Sequence, residues 1–239
     1  MILKSAVIVF PGSNCDHDMY QTLKMLGHDV QYIWHKNPDI DDFDLVVLPG
    51  GFSYGDYLRA GAIAHFSPIM QEIVRFAHKG KFLMGICNGF QILTETGLLP
   101  GALLKNQNLR FLCQQVYLRV ENYQTYFTRS IPQNTILKVP IAHGEGNYFI
   151  DDTGLNELKA NQQIVFRYVD KNHNTVPEAN PNGSLDNIAG IINKEGNILG
   201  MMPHPERAAE TILGSSDGRL IFESLQETNL KHKEALSHA

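Results

Sequence analysis

The sequence predicts an α/β fold, with a mostly parallel central sheet flanked by helices and an antiparallel extension. Two observations carry this. From Ala6 to Gly97, short β-branched or apolar runs alternate with helical patterns, as in a parallel sheet with right-handed crossovers. From Arg110 onward, strand-like runs follow one another with no helix between them, the pattern of antiparallel strands. With 239 residues, 43% of them hydrophobic, the chain can bury a full core, and one domain over residues 1–239 is expected. No linker divides it, and the polar tail Gln226 to Ala239 reads as loosely held.

Ala6 to Phe10 (AVIVF) is a buried strand running into the turn Pro11-Gly12-Ser13-Asn14. Asp16 can cap the next helix, whose apolar face is Met19, Tyr20, Leu23 and Leu26 and whose end is Gly27. Val30 to Trp34 is a second strand. Asp44 to Leu48 (DLVVL) is a third, stopping at Pro49-Gly50-Gly51-Phe52. A loop, Ser53 to Arg59, leads through Gly61 to a helix opened by Ser67-Pro68 and faced by Ile69, Ile73, Val74 and Ala77. Phe82 to Ile86 is a strand, and Asn88 to Thr96 a helix stopped by Gly97. Phe111 to Val120, Thr125 to Thr128, Leu137 to Ala142 and Gln163 to Val169 read as strands. Ile188 to Ile192 and Ile198 to Met202 flank a hairpin turn at Asn193 to Asn197, and Asp217 to Leu225 is a last helix. In open sheets of this kind the ligand crevice lies beyond the carboxyl ends of the strands. The loops Pro11 to Asp16 and Pro49 to Tyr54 should meet Cys87 there.

Composition narrows the function. Charged residues make up 19% and the net charge is −5, so nothing points to a nucleic-acid surface and the charge fits ordinary solubility. Cys15, Cys87 and Cys113 are an odd count without metal-ligand spacing, so no metal site is expected and the thiols read as reduced, in a cytoplasmic protein. Ser5 to Phe10 is too short for a signal peptide, and no apolar run approaches a membrane span.

Cys87 falls at the break between the fourth strand and its helix, flanked by glycines in Gly85-x-Cys87-x-Gly89. This is the cysteine version of the nucleophile elbow, a sharp turn that lifts one side chain out of the sheet edge and needs small neighbours. The following helix points its amino end at the sulfur, which favours negative charge there. A lone cysteine is more often a buried structural residue; the glycines and the strand-to-helix setting reverse that. A nucleophilic cysteine needs a base, and the base needs an orienting group. Ten histidines make any one of them uninformative, but Met202-Pro203-His204-Pro205-Glu206-Arg207 is distinctive. Prolines on both sides hold His204 in an extended backbone, where residues two apart face the same way and Glu206 can fix the imidazole tautomer. Alone, this segment reads equally well as a rigid turn with a surface ion pair. Joined to the elbow, it makes a Cys87, His204, Glu206 triad. The anion hole would take the backbone N–H of Asn88 and a second donor from Gly50-Gly51-Phe52.

Gly85-Ile86-Cys87-Asn88-Gly89-Phe90-Gln91 together with Pro203-His204-Pro205-Glu206-Arg207 resembles the class I (triad) glutamine amidotransferases. Four further stretches narrow the resemblance to the glutaminase subunits of one ATP-dependent C–N ligase of purine biosynthesis. They are Pro11 to Asp16, Pro49 to Tyr57, Ala142 to Asn147 and Asn180 to Ser184, and the match runs from Ala6 to Leu225. The resemblance implies a flavodoxin-like fold and hydrolysis of glutamine at Cys87 through a γ-glutamyl thioester. His204 would be the base and later the acid, oriented by Glu206, with the oxyanion on the N–H groups of Gly51 and Asn88 or close neighbours. Phe52, Gln91, Arg110 and His143 are then candidates for holding glutamine. The loops that carry Phe52, Arg110 and His143 could equally dock a partner. Ammonia would pass to a separate large synthetase subunit that uses ATP and Mg, often accompanied by a third, small subunit. This chain would need no cofactor of its own.

Rival readings share the elbow. A cysteine hydrolase or chaperone of the stress-protein superfamily commonly places its histidine directly after the cysteine, where this chain has Asn88. A γ-glutamyl peptide hydrolase falls within the triad class. A catalytically idle regulatory domain would be signalled by loss of Cys87, His204 or Glu206, and all three are present.

Overall fold

The computed structural model describes residues 2–227; residues 228–239, most of the tail read as loosely held, lie outside the described residues. The first half contains β1 (Lys4–Val9), α1 (Asp16–Met25), β2 (Asp29–Trp34), β3 (Leu45–Leu48), α2 (Pro68–His78), β4 (Phe82–Ile86) and α3 (Asn88–Glu95). The second half contains β5 (Ala102–Leu104), β6 (Leu112–Val120), β7 (Ile136–His143), β8 (Asn147–Phe149), α4 (Asp152–Ala160), β9 (Ile164–Val169), β10 (Ile188–Ile192) and β11 (Ile198–Met201). Residues 219–227 are helical.

Nine strands form one sheet in the order β2-β1-β3-β4-β11-β10-β9-β6-β7. The five from β2 to β11 pair in parallel, and the four from β10 to β7 add on antiparallel. The central strands are buried along their length, which is why LVVL, FLMGI and ILGM read as continuous apolar runs rather than alternating ones. Helix α2 lays Ile69, Met70, Ile73, Phe76 and Ala77 against the core, and α3 buries every residue from Asn88 to Leu93.

Three expectations are corrected. Thr125 to Thr128 is a turn, not a strand. Its threonines bond locally, Thr125 Oγ1 to Thr128 Oγ1 at 2.6 Å and Thr128 Oγ1 to the Asn122 carbonyl at 2.6 Å, and such bonds compete with a strand ladder. The second half is not free of helices. Helix α4 starts where Asp151 caps the Gly154 N–H at 2.7 Å, but it buries only Leu158, so it showed no apolar stripe. Cys15, not Asp16, occupies the N-cap position of α1, and neither it nor Ser67 at the start of α2 makes a side-chain cap. Ser67 Oγ instead meets His35 Nδ1 at 2.6 Å.

What matters for the site is where loops converge. The turn after β1 and the turn after β3 join in a bridge between Ser13 and Gly51. The parallel pairing of β3, β4 and β11 brings the residues after Leu48, Ile86 and Met201 to one sheet edge. The antiparallel strands curl back to the same edge. β7, last in the order, offers the Pro140 carbonyl to the His204 N–H at 2.8 Å and the Ala142 carbonyl to the Cys87 thiol at 3.6 Å.

Candidate active site

The elbow is built by close approach. A Cβ on Gly89 would lie 2.0 Å from the Leu48 carbonyl oxygen, and one on Gly85 would lie 2.7 Å from the Gly89 backbone. Only glycine lets α3 start this close to β3 and β4. The chain turns on Cys87 itself, at φ 51° and ψ −105°, a conformation an L-residue holds only when its surroundings impose it. Cys87 is 4% exposed.

His204 and Glu206 are each 1% exposed, and His204 Nδ1 meets Glu206 Oε1 at 2.6 Å. The backbone reaches this arrangement differently from the extended reading. Pro205–Ala208 forms a 3₁₀ turn directly after His204, and that turn brings the carboxylate back to the ring. Burial alone would push the His204 pKa down. The Glu206 carboxylate, and then Cys87, outweigh it and hold the imidazole well above its ordinary 6.5. The ring is therefore set to carry a proton. Arg207, next in the chain, anchors the segment to α1 through Asp18 at 2.9 Å.

A cleft of about 150 Å³ opens at Cys87, lined by Gly51, Phe52, Asp56, Gln91, Phe111, His143, Glu145 and their neighbours. That is well below the roughly 300–1,000 Å³ of clefts for drug-sized ligands. A larger groove of about 380 Å³, lined by residues such as Tyr123, Gln133 and Arg167, contains no cysteine, serine or histidine. The smaller cleft, which holds Cys87, is therefore the candidate site.

The other predicted residues sort as follows. Asn88 is the first residue of α3, and its side chain ties the cleft together. Its Oδ1 accepts the Ser53 N–H at 3.1 Å, and its Nδ2 donates to Gln91 Oε1 at 2.9 Å and Asp56 Oδ1 at 3.3 Å. Gln91 in turn donates to the Glu145 carbonyl at 2.6 Å. Gly51 sits at φ 149°, where a Cβ would lie 2.8 Å from Ser13 Cα. The Phe52 N–H is engaged by the Gly12 carbonyl at 3.0 Å, and of the two glycines before it Gly51 is the one that lines the cleft. The Phe52 ring walls the cleft with Phe111, centroids 6.3 Å apart. His143 is buried with Nδ1 3.1 Å from Asn106 Oδ1, and burial, then the charge of His204, pushes its pKa down to about 4. It is a neutral wall, not a second base. Arg110 is exposed and does not line the cleft; its neighbour Phe111 does.

Two acidic groups were missed. Asp56 and Glu145 both line the cleft. Burial, and then the Glu145 charge, raise the Asp56 pKa from 3.8 to about 6. Both lie inside stretches that carried the resemblance, but nothing in either segment signals that they meet.

A cysteine on a nucleophile elbow with a buried His–carboxylate pair, over a mostly parallel sheet, is the arrangement expected of the triad-type class of cysteine enzymes, to which the glutamine amidotransferases belong. The sequence profile of the CobB/CobQ-like glutamine amidotransferase domain matches residues 3–224, and the chain belongs to that family. Over 224 residues it is 56% identical to the phosphoribosylformylglycinamidine synthase subunit PurQ of Moorella thermoacetica, covering 93% of this chain and 95% of that protein. Among solved structures it is similar to a chain of PurLQS from Thermotoga maritima, with TM-score 0.84 and 45% identity over 95% of this chain and 99% of that one. A glutamine amidotransferase from the same organism shares the fold, with TM-score 0.54 and 17% identity over 99% of this chain and 95% of that one. Within the family, its place is among the PurQ-type subunits.

Proposed function

We propose that this chain is the glutaminase subunit of phosphoribosylformylglycinamidine synthase. It hydrolyses glutamine and delivers ammonia to a synthetase that converts formylglycinamide ribonucleotide to its amidine with ATP and Mg. It acts as a single amidotransferase domain in the cytoplasm, without a cofactor of its own, beside the large synthetase subunit and a third, small one. The observation that carries the reading is the buried His204–Glu206 pair at 2.6 Å beside Cys87 on its strained turn.

The chemistry follows from that arrangement. Cys87 Sγ attacks the side-chain amide carbon of glutamine while its proton resides on His204. The oxyanion lies on the N–H groups of Asn88 and Gly51. As the C–N bond breaks, the His204 imidazolium protonates the leaving nitrogen, releasing ammonia and leaving a γ-glutamyl thioester. Water then attacks the thioester, giving its proton to His204, and glutamate leaves as the Cys87 sulfur is freed. Glu206 keeps the ring oriented and stabilises its positive charge throughout. The carboxylates of Asp56 and Glu145 give the α-ammonium of glutamine a place in the cleft, at the end away from the scissile amide.

The loop after Gly51 holds Tyr54, Asp56 and Leu58 at positive φ, a conformation that a bound subunit can tighten. Losing one oxyanion donor costs roughly 10²–10³ in rate, so the isolated chain is expected to be a weak glutaminase that the synthetase activates by a comparable factor. The test is amidine formation by the reconstituted complex with two nitrogen sources. With Cys87→Ser in place, the complex should work with ammonium salt and not with glutamine. Full glutaminase activity of the isolated chain, unchanged by the synthetase, would instead indicate a free-standing hydrolase.

A further inference from the structure

The mechanism leaves a second buried thiol at the site unused. Cys15 is 3% exposed, and its sulfur, a nitrogen of His204 and a carboxylate oxygen of Glu206 all lie within 4.8 Å of one another. The glycine after Pro49 allows this crowding: a Cβ on Gly50 would sit 2.6 Å from His204 Cε1 and 3.0 Å from Cys15 Sγ. Glu206 Oε2, the carboxylate oxygen not bonded to His204, is buried and has no hydrogen-bond partner. Unpartnered polar atoms this deep are uncommon and need a reason.

We propose that Cys15, His204 and Glu206 form a site for a thiophilic divalent cation of the zinc type, whose binding shuts off glutamine hydrolysis by taking the imidazole. This rests on the reading of His204 as the group that moves the proton. The donor set is one thiolate, one imidazole nitrogen and one carboxylate oxygen, which suits zinc with a fourth position open and does not suit Mg or Ca, which take oxygen ligands. The charges balance: a thiolate and a carboxylate neutralise a dication, so the buried site is neutral once filled. On binding, Cys15 releases its thiol proton and His204 the proton its ring carries, both to solvent. Zinc bonds of about 2.0–2.3 Å hold neighbouring ligands roughly 3.5 Å apart, so the hydrogen bond between His204 Nδ1 and Glu206 Oε1, 2.6 Å long, must open to admit the cation while the Cys15 sulfur, within 4.8 Å of a ligand atom of each, closes on it. Arg207 Nη2 donates to Cys15 Sγ at 3.1 Å and would turn away, while its Nε keeps Asp18 at 2.9 Å. A metal-bound imidazole can neither accept the thiol proton nor give it to leaving ammonia.

The test uses zinc itself on the full chain, read by competition with a chromophoric chelator, so the readout does not depend on activity. In the Cys87→Ser chain, where the nucleophile cannot supply sulfur, one equivalent of zinc should bind. Adding Cys15→Ala should weaken binding by more than about 100-fold, beyond the 10–100-fold typical of losing an outer partner of a metal ligand. Cobalt on the Cys87→Ser chain should give a thiolate charge-transfer band that Cys15→Ser removes, which covers the case of a poorly folded double variant. In the assembled enzyme, zinc should inhibit glutamine-dependent turnover reversibly. Cys15→Ala should keep turnover within a few-fold of the parent while shifting the half-inhibitory concentration up by the same factor as its affinity loss. If zinc binds the Cys15→Ala chain and not the Cys87→Ser chain, the metal sits on the nucleophile and the proposal falls. Absence of stoichiometric binding by the Cys87→Ser chain overturns it equally, whatever the fate of the glutaminase reading.

Discussion

Replacing Gly89 with alanine places one methyl group against the machinery from outside it. The added carbon would lie 2.0 Å from the Leu48 carbonyl oxygen and 2.7 Å from its carbon. A relaxed carbon–oxygen contact is about 3.3–3.6 Å, so α3 and the end of β3 must separate by more than about 1 Å. Neither partner is a flexible side chain that could yield cheaply. Cys87 rides on α3, whereas His204 is held from another strand by the Pro140 carbonyl at 2.8 Å, so the separation changes the distance between sulfur and imidazole. A misplacement of about 1 Å at a reacting centre costs on the order of 10²-fold in rate, equivalent to about 2.7 kcal/mol. The overpacking should also cost about 1–3 kcal/mol of stability. The assay is kcat/KM for glutamine in the assembled enzyme, beside thermal unfolding of the isolated chain. Gly97→Ala is the control, since a Cβ there meets nothing within 4 Å and faces only the strain of φ 72°. It should lose stability without comparable loss of activity. If folded Gly89→Ala kept kcat/KM within two- to three-fold of the parent, the close approach of α3 to β3 would not be what aims the sulfur.

Glu206→Gln removes the main influence that raises the His204 pKa. The alkaline limb of the kcat/KM profile should move to lower pH and kcat should fall, by less than in His204→Ala, which should nearly abolish turnover; an unshifted limb would remove Glu206 from the proton path. The same pair bears on stability: with the His204 pKa raised, its contribution is complete below pH 6.5 and is lost as pH rises through the elevated value. Thermal unfolding of Glu206→Gln should therefore approach that of the parent only on the alkaline side. Asp56 has the opposite sign, since its folded pKa of about 6 lies above the ordinary 3.8 and ionising it in the cleft costs stability as pH rises through that window. Asp56→Asn should be more stable than the parent at pH 7 by about 1 kcal/mol, discounted for partial exposure, and no different below pH 3.8. Its KM for glutamine should rise, which titration calorimetry or steady-state kinetics can check.

The elbow was legible because its determinants are local. Strand β4 was bounded correctly at Phe82 and Ile86, and the glycines two residues either side of Cys87 report a packing requirement within a single turn. The hairpin of β10 and β11 was legible for the same reason, as two apolar runs around a five-residue polar turn. Helix α4 and the small β5–β8 pair were not, since one buried leucine and three-residue strands carry no period. His204 and Glu206 were read as partners, but the 3₁₀ turn that joins them was hidden by the stiffness expected of flanking prolines. The Asp56–Glu145 pair and the approach of Cys15 to His204 depend on loops meeting at the sheet edge. No spacing in the chain encodes either meeting, so only the folded topology reveals them.

The central claim is that Cys87, and not its neighbour Cys15 or the exposed Cys113, forms the acyl bond with glutamine. A glutamine-analogue electrophile applied to the assembled enzyme, followed by peptide mapping, tests it directly. One γ-glutamyl-type adduct per chain is expected, on the peptide containing Cys87, formed in step with loss of glutamine-dependent turnover while ammonium-dependent turnover survives. An adduct on Cys15 or Cys113 with Cys87 unmodified would contradict it.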